Sequence, residues 1–286
     1  MFLVFPLLGL SWFKYGLGIS EFALLVASTV FITIGGNIIN DIYDVNADSI
    51  NKPGKNVVGR KISVSNSWIL YWLFTVVGVL MGTLLSYLLN QINYGLIFLF
   101  SAGLLWFYSQ KYQCQAIVGN LVVAFLSALS FGLVWLFEFF ALSNNAQAFS
   151  AVQNSFGIVN RMILVYMGFA FMTSFVREIV KDIEDIRGDN RFGCRTFAVV
   201  YGFETAKKLA IIVSLLLALC VFFAQYYFLS LGFNIHFWYF FIIDALVIFM
   251  IVKTLKASDI GGFAGISKVI KIIMLVGVIS ILFFGF

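Results

Sequence analysis

Two runs of carboxylate and amide side chains stand out in a chain that is 62% hydrophobic and only 11% charged. The first holds Asn37, Asn40, Asp41, Asp44 and Asp48, in GGNIINDIYDVNADSIN, and the second Glu178, Asp182, Asp185 and Asp189, in REIVKDIEDIRGDNR. Positions 37, 41, 44 and 48 step by +4, +3 and +4, and positions 178, 182, 185 and 189 repeat that pattern. On an α-helix such steps put four side chains on one face over about three turns. Of the 13 acidic residues, eight fall in these two stretches when Glu184 is counted, although Glu184 points off the shared face. Crowded carboxylates repel one another unless a cation neutralises them. Oxygen donors with no His or Cys among them select a hard ion such as Mg²⁺. Asp44, Asp48, Asp182, Asp185 and Asp189, with Asn40 and Asp41, are the candidate ligands.

Basic residues flank both stripes: Arg60 and Lys61 follow the first, and Arg177, Lys181, Arg187 and Arg191 interleave the second. They suit phosphate oxygens, which carboxylates cannot bind, and Mg²⁺ itself is commonly shared between a few carboxylates and substrate phosphates. A diphosphate bridged by metal ions fits this set. Its departure would leave a carbocation, which some of the chain's 52 aromatic side chains could stabilise through cation–π contacts. Acidic residues at helix ends are often no more than solvated caps. Two stripes of identical spacing argue against that reading.

The elements that must carry these stripes are membrane helices. A soluble domain holds about 25% charged residues, far above the fraction here. Long apolar runs dominate, without barrel-like alternation, and in lipid each run must satisfy its backbone as a helix. The expected fold is all-α and polytopic, with about nine spans: 2–17, 22–40, 68–89, 94–108, 117–142, 162–178, 209–229, 237–252 and 269–286. The loops after spans two, four, six and eight, with their helix ends, hold 16 of the 18 basic residues; Lys14 and Arg161 are the exceptions. By the positive-inside rule those loops face the cytoplasm, and both stripes face it with them.

The net charge of +5 is absorbed by topology and phosphate binding, so no nucleic-acid partner is expected, and no obligate protein partner either. Cys114, Cys194 and Cys220 have no paired or metal-ligand spacing and read as unpaired thiols in a reducing compartment. Met1 is followed by apolar residues without a basic segment, which argues against a cleaved signal peptide. With two prolines and no low-complexity linker, residues 1–286 read as one domain. Glu138 and Asp244 lie inside predicted spans, where a locally hydrogen-bonded acid is the expectation and a functional one the alternative. His236 sits toward an outer loop, away from the stripes. Gly35 and Gly36 suit close helix packing, and Asn120 suits the wall of a cavity.

These motifs resemble those of UbiA-type intramembrane prenyltransferases. NDIYDVNADSIN resembles that family's Asn-x-x-x-Asp-x-x-x-Asp motif through Asn40, Asp44 and Asp48, and DIRGD its Asp-x-x-x-Asp motif through Asp185 and Asp189. YSQKYQCQAIVGN is similar to its Tyr-Ser…Gly-Asn segment. The resemblance covers nearly the whole chain. It implies a helical bundle around a central cavity open to lipid, with two Mg²⁺ ions holding a polyprenyl diphosphate. It implies catalytic work by Asp44, Asp185, Asn40 and Tyr108, and substrate contacts from Asn37, Arg60, Lys61, Lys111, Asn120, Arg177, Lys181 and Arg191. REIVKDIEDIRGD is similar to the second motif of archaeal-type digeranylgeranylglyceryl phosphate synthases, and also to that of homogentisate prenyltransferases. The first likeness favours a geranylgeranylglycerol-phosphate-type acceptor in the bilayer; an aromatic quinone precursor is the alternative. A divalent-cation path and a catalytically silent scaffold are further readings. The first would carry acids deeper along several spans, and the second would have lost a motif aspartate. Two departures from the family pattern stand out. The basic segment with Arg-Pro-x-Asn that usually precedes the first span is replaced by an immediate MFLVFPLLGL, so one cytoplasmic wall is missing unless the reading frame begins upstream. The basic pair expected after Tyr-Ser is Gln113–Cys114, which removes a phosphate contact.

Overall fold

The computed structural model describes residues 16–51, 53, 54 and 56–285. The first predicted span, with Lys14, and the loop residues Lys52 and Lys55 lie outside them. Eight described helices are long and apolar enough to cross a membrane, and they match the second to ninth predicted spans. Their α-helical parts are α1 (Ile19–Asn51), α2 (Val64–Leu88), α3 (Leu96–Gln110), α4 (Val118–Ser143), α6 (Phe156–Arg191), α8 (Phe203–Ser230), α9 (Asn234–Lys256) and α10 (Phe263–Ile279), with short 3-10 turns extending α3 and α10. Short helices α5 (Ala146–Val152) and α7 (Phe197–Tyr201) join neighbours. The chain is an integral, multi-pass membrane protein.

Two spans run on well past their predicted ends at 40 and 178. With 33 and 36 residues, α1 and α6 are about 50 and 54 Å long, against a hydrocarbon core of about 30 Å. Hydropathy falls where the stripes begin, but the i→i−4 ladder needs no lipid and continues through them. Each stripe is therefore the last three turns or so of a helix already anchored in the bilayer.

Contacts between helix ends sort the loops onto two sides. Gly188 N–H donates to Asn51 Oδ1 at 2.8 Å, Arg195 N–H to the Cys114 carbonyl at 3.1 Å, and Lys207 Nζ to the Ala257 carbonyl at 2.7 Å. These tie the ends of α1, α3, α6 and α9 and the start of α8 to one side, the grouping that the loop charges require. At the opposite end Asn144 Nδ2 donates to the Leu89 carbonyl at 2.9 Å, and Glu138 accepts from the N–H groups of Gly16 (2.7 Å) and Leu17 (3.2 Å).

Beside a small apolar cluster around Leu142, Val152 and Val159, two large ones pack the bundle. One packs α6, α8, α9 and α10 around Ile179, Leu217, Phe240, Ile243 and Ile266. The other packs α1 to α4 around Leu25, Leu85, Phe98 and Phe137. Small residues set how closely α1 meets its neighbours: a Cβ at Gly35 would strike the Thr75 hydroxyl, and one at Gly36 would lie 2.8 Å from Leu105. His236 is buried among the Phe228, Phe233 and Phe240 rings with Nε2 3.1 Å from the Ser280 carbonyl, rather than standing in a loop. Asp244 takes a hydrogen bond from Gln225 Nε2 at 2.9 Å, linking α9 to α8. The expectation of three unpaired thiols is corrected: Cys114 and Cys194, with Cα atoms 4.4 Å apart, form a disulfide, while Cys220 is free. The pair is 80 residues apart in sequence, so no local spacing could reveal it.

Candidate active site

The site lies where α1, α3, α4 and α6 converge on the end that carries both stripes. A cavity of about 480 Å³ opens there. Asn37, Asn40, Tyr108, Arg177, Glu178 and Lys181 line its polar part, and Phe98, Leu105, Phe131, Leu133 and Met274 line the apolar remainder. The residues that line the cavity are not the two expected faces: from α1 they include 37 and 40, without 41, 44 or 48, and from α6 they include 177, 178 and 181, without 182, 185 or 189.

The first stripe is knit to the turn that carries Gln113. Asn40 Nδ2 donates to Asp44 Oδ2 at 3.0 Å, and Gln113 Nε2 donates to Asp44 Oδ1 at 3.0 Å. Gln113 Oε1 in turn accepts from Asn40 Nδ2 in a closer contact. Gln113 belongs to the 3-10 turn Tyr112–Cys114 between α3 and α4. That turn folds back tightly on α4, since a Cβ at Gly119 would lie 2.6 Å from the Tyr112 carbonyl. Ile117 completes the reversal at φ +70°, a conformation rare for a β-branched residue. The result places Asn120 in the first turn of α4, pointing at the second stripe.

In that stripe, Asn120 Nδ2 donates to Asp182 Oδ2 at 3.0 Å and Thr196 Oγ1 to Asp189 Oδ2 at 3.3 Å. Glu178 is buried, pairs with Arg177, and lies 3.5 Å from the Tyr108 hydroxyl, which donates to it. The two stripes share one electrostatic space. Lys181 lies within reach of Tyr108, Glu178, Asp44 and Asp185, and Asp189 within reach of Asp185 and Asp44. Lys181 thus feels carboxylates of both helices, and Arg177 pairs with Glu178 beside it.

Asp48 and Asp185 are half-buried and Asp41 is exposed. Four predicted phosphate contacts lie away from the cavity. Arg60 is exposed and donates to the Gly54 carbonyl of its own loop, and Lys61, Lys111 and Arg191 are exposed. Arg177 and Lys181 are the cations that line the cavity. Three contributors escaped the sequence reading: Gln113, Thr196 and Asn51. For Asn51 a signal existed in Gly188, whose missing Cβ would fall 2.5 Å from the Asn51 amide.

Among the described residues no group of three or more His, Cys, Asp or Glu side chains is arranged to hold a metal ion by itself. The donors are hard oxygens on two helices; Asn40, Glu178 and Lys181 of those helices line the cavity, and Asp44, Asp48, Asp182, Asp185 and Asp189 lie beyond its lining residues. That donor chemistry suits Mg²⁺, which is commonly shared between a few carboxylates, water and phosphate, and it does not suit a zinc site.

Residues 3–261 match the UbiA prenyltransferase family. The chain belongs to that family. It is 34% identical over 215 residues to a digeranylgeranylglyceryl phosphate synthase of Sulfurisphaera tokodaii, covering 74% of this chain and 67% of the relative. It is 29% identical over 269 residues to the synthase of Methanococcus aeolicus, covering 93% and 86%. A solved digeranylgeranylglyceryl phosphate synthase structure superposes with a TM-score of 0.61 at 23% identity, over 98% of this chain and 89% of the other. A UbiA homologue from Archaeoglobus fulgidus bound to DMAPP and Mg²⁺ superposes with a TM-score of 0.58 at 14% identity, over 98% and 94%. These superpositions establish the UbiA-type fold, and family membership makes the chain an intramembrane prenyltransferase.

Proposed function

We propose that this chain moves a geranylgeranyl group from its diphosphate to a hydroxyl of a geranylgeranylglycerol-phosphate-type acceptor. The observation that carries the proposal is the graded cavity, with Arg177, Lys181, Asn37 and Asn40 at one end and Phe98, Phe131 and Met274 deeper in the bilayer. A prenyl diphosphate has the same polarity gradient. The relatives named for this synthase support the choice of acceptor.

In this reading Lys181 and Arg177 hold the diphosphate oxygens, while the apolar wall orients the isoprenoid tail and excludes water. The allylic C–O bond breaks with its electron pair leaving on the diphosphate. Tyr108, at the polar end of the cavity, is the aromatic side chain beside the allylic cation, while Phe98 and Phe131 line the path of the tail. The acceptor oxygen forms the new C–O bond at that carbon and gives its proton to the released diphosphate. Asp44, Asp48, Asp182, Asp185 and Asp189, with Asn40, would hold two Mg²⁺ ions, as one of the structural neighbours holds Mg²⁺, and these would neutralise charge on the leaving group. The loop charges favour a site facing the cytoplasm from the inner membrane.

The test is transfer by the purified chain in lipid nanodiscs with Mg²⁺ and geranylgeranyl diphosphate, read by product mass. An ether product from geranylgeranylglycerol phosphate is expected. Transfer only to homogentisate would move the assignment to the aromatic class, and absence of diphosphate release with every acceptor would remove prenyl transfer altogether.

A further inference from the structure

Gln113 stands where the family resemblance leads one to expect a base, and the structure gives it a different task. Asn40 has two amide protons, and both are engaged: one by Asp44 Oδ2 and one by Gln113 Oε1. Its remaining polar atom, Oδ1, belongs to a residue that lines the cavity. Gln113 also donates to Asp44 Oδ1, so both oxygens of that carboxylate are located by a donor from this three-residue ring. A carboxylate oxygen accepts more than one partner, so this does not compete with a cation.

The ring is anchored from outside. The carbonyl of the next residue, Cys114, accepts from Arg195 N–H at 3.1 Å, and Cys114 is disulfide-bonded to Cys194. Cys194 N–H donates to the Asp189 carbonyl at 2.9 Å. The turn that positions the first stripe is therefore fastened to the end of the second.

We propose that Gln113 is a positioning residue, which turns the Asn40 amide with its oxygen toward the cavity and fixes the Asp44 carboxylate for a divalent cation. The proposal rests on the reading of the stripes as a cation-dependent diphosphate site. It requires both hydrogen-bonding functions of the glutamine: the acceptor decides which way Asn40 faces, and the donor orients Asp44. A lysine at this position keeps a donor for Asp44 but offers Asn40 no acceptor.

The test is Mn²⁺ affinity, measured by electron paramagnetic resonance on the chain in nanodiscs, with and without inorganic diphosphate. Removing an outer partner of a metal ligand weakens metal affinity by about 10- to 100-fold. Gln113→Met is expected to lose about tenfold, and Gln113→Lys, which retains length and a donor, is expected to lose affinity as well. In an Asn40→Ala background the loss from Gln113→Met should shrink, because much of its action passes through Asn40. Affinity within about twofold of wild type in both Gln113 variants would overturn the proposal, and so would an undiminished loss in the Asn40→Ala background. Melting without Mn²⁺ reports on folding; if Gln113→Met does not fold, Gln113→Lys decides. A wild-type chain that binds Mn²⁺ but transfers to no acceptor removes the functional reading while leaving this one standing. One that binds no Mn²⁺ removes this one.

Discussion

The two stripes have the same spacing and different surroundings. On α6, Glu178, Asp182 and Asp189 each meet a polar side chain from outside their own helix: Tyr108 on α3, Asn120 on α4 and Thr196 beyond the helix end. On α1, Asn37 and Asp41 are exposed, and Asp44 is located by its helix neighbour Asn40 and by Gln113. Helical periodicity thus decides which side chains share a face, while the packed neighbours decide how firmly each is held. On α6 these side-chain contacts come from three separate elements, and on α1 the turn at Gln113 supplies the contact that reaches Asp44 from between α3 and α4.

The largest effect should come from removing a carboxylate on either side. Asp44→Ala and Asp185→Ala are each expected to lower kcat by about 10³-fold, on the order of 4 kcal/mol in the barrier. Full activity in either variant would show that the half-sites do not act together. The next effect separates them. Asn120→Leu leaves Asp182 without its donor from α4, a cost of about 1–3 kcal/mol, and should lower kcat/KM by about tenfold or more. Substituting exposed Asp41 by Asn should change kcat/KM by less than about threefold at the same Mg²⁺ concentration, since surface changes are usually worth about 0.5 kcal/mol or less. Equal losses in the two variants would mean that scaffolding does not distinguish the stripes.

The helices that bear the stripes also touch directly, and this contact can be broken without altering a carboxylate. Gly188→Ala pushes a methyl group into the Asn51 amide, overpacking that costs about 1–3 kcal/mol. It should lower both thermal stability and transfer. Adding Asn51→Ala clears the space while giving up the 2.8 Å hydrogen bond, and should recover part of the stability. No recovery would mean that the methyl clashes elsewhere.

These differences mark what the sequence could carry. Each span from the second to the ninth is a long apolar run, so hydropathy located it, and the +4, +3, +4 steps located the two faces. Hydropathy could not say that α1 and α6 continue to Asn51 and Arg191, because a helix outside lipid is held by its own backbone and leaves no apolar trace. Nor could charge alone distinguish Lys181, which lines the cavity, from Lys61 or Lys111, which do not; that depends on how the loops fold. Gln113 was visible as a departure from the family pattern, yet its partners Asn40 and Asp44 come from a helix about 70 positions away and only meet it through the fold. The Cys114–Cys194 pair was hidden for the same reason.

Glu138 sets the smallest expected effect on activity and sharpens the contrast between acids that serve chemistry and acids that serve the fold. It is 2% exposed, on α4 at the end of the molecule opposite the stripes, and its two carboxylate oxygens accept the N–H groups of Gly16 and Leu17. Those donors precede the first turn of α1, where no intrahelical acceptor exists for them. The carboxylate therefore does for this helix start what a capping side chain does elsewhere, from a neighbouring helix. Glu138→Gln keeps one acceptor oxygen and replaces the other with an amide NH₂, a donor that faces an N–H. Stability should fall by about 1–3 kcal/mol, the cost of leaving a buried donor unsatisfied. Prenyl transfer per folded molecule should stay within about twofold of wild type, because a change of a few tenths of a kcal/mol in the barrier is all that this permits. The comparison is made on protein whose folded fraction has been measured by size exclusion and thermal melting. A tenfold loss of kcat with unchanged melting would place Glu138 on the reaction path and dissolve the division between the two ends of the molecule.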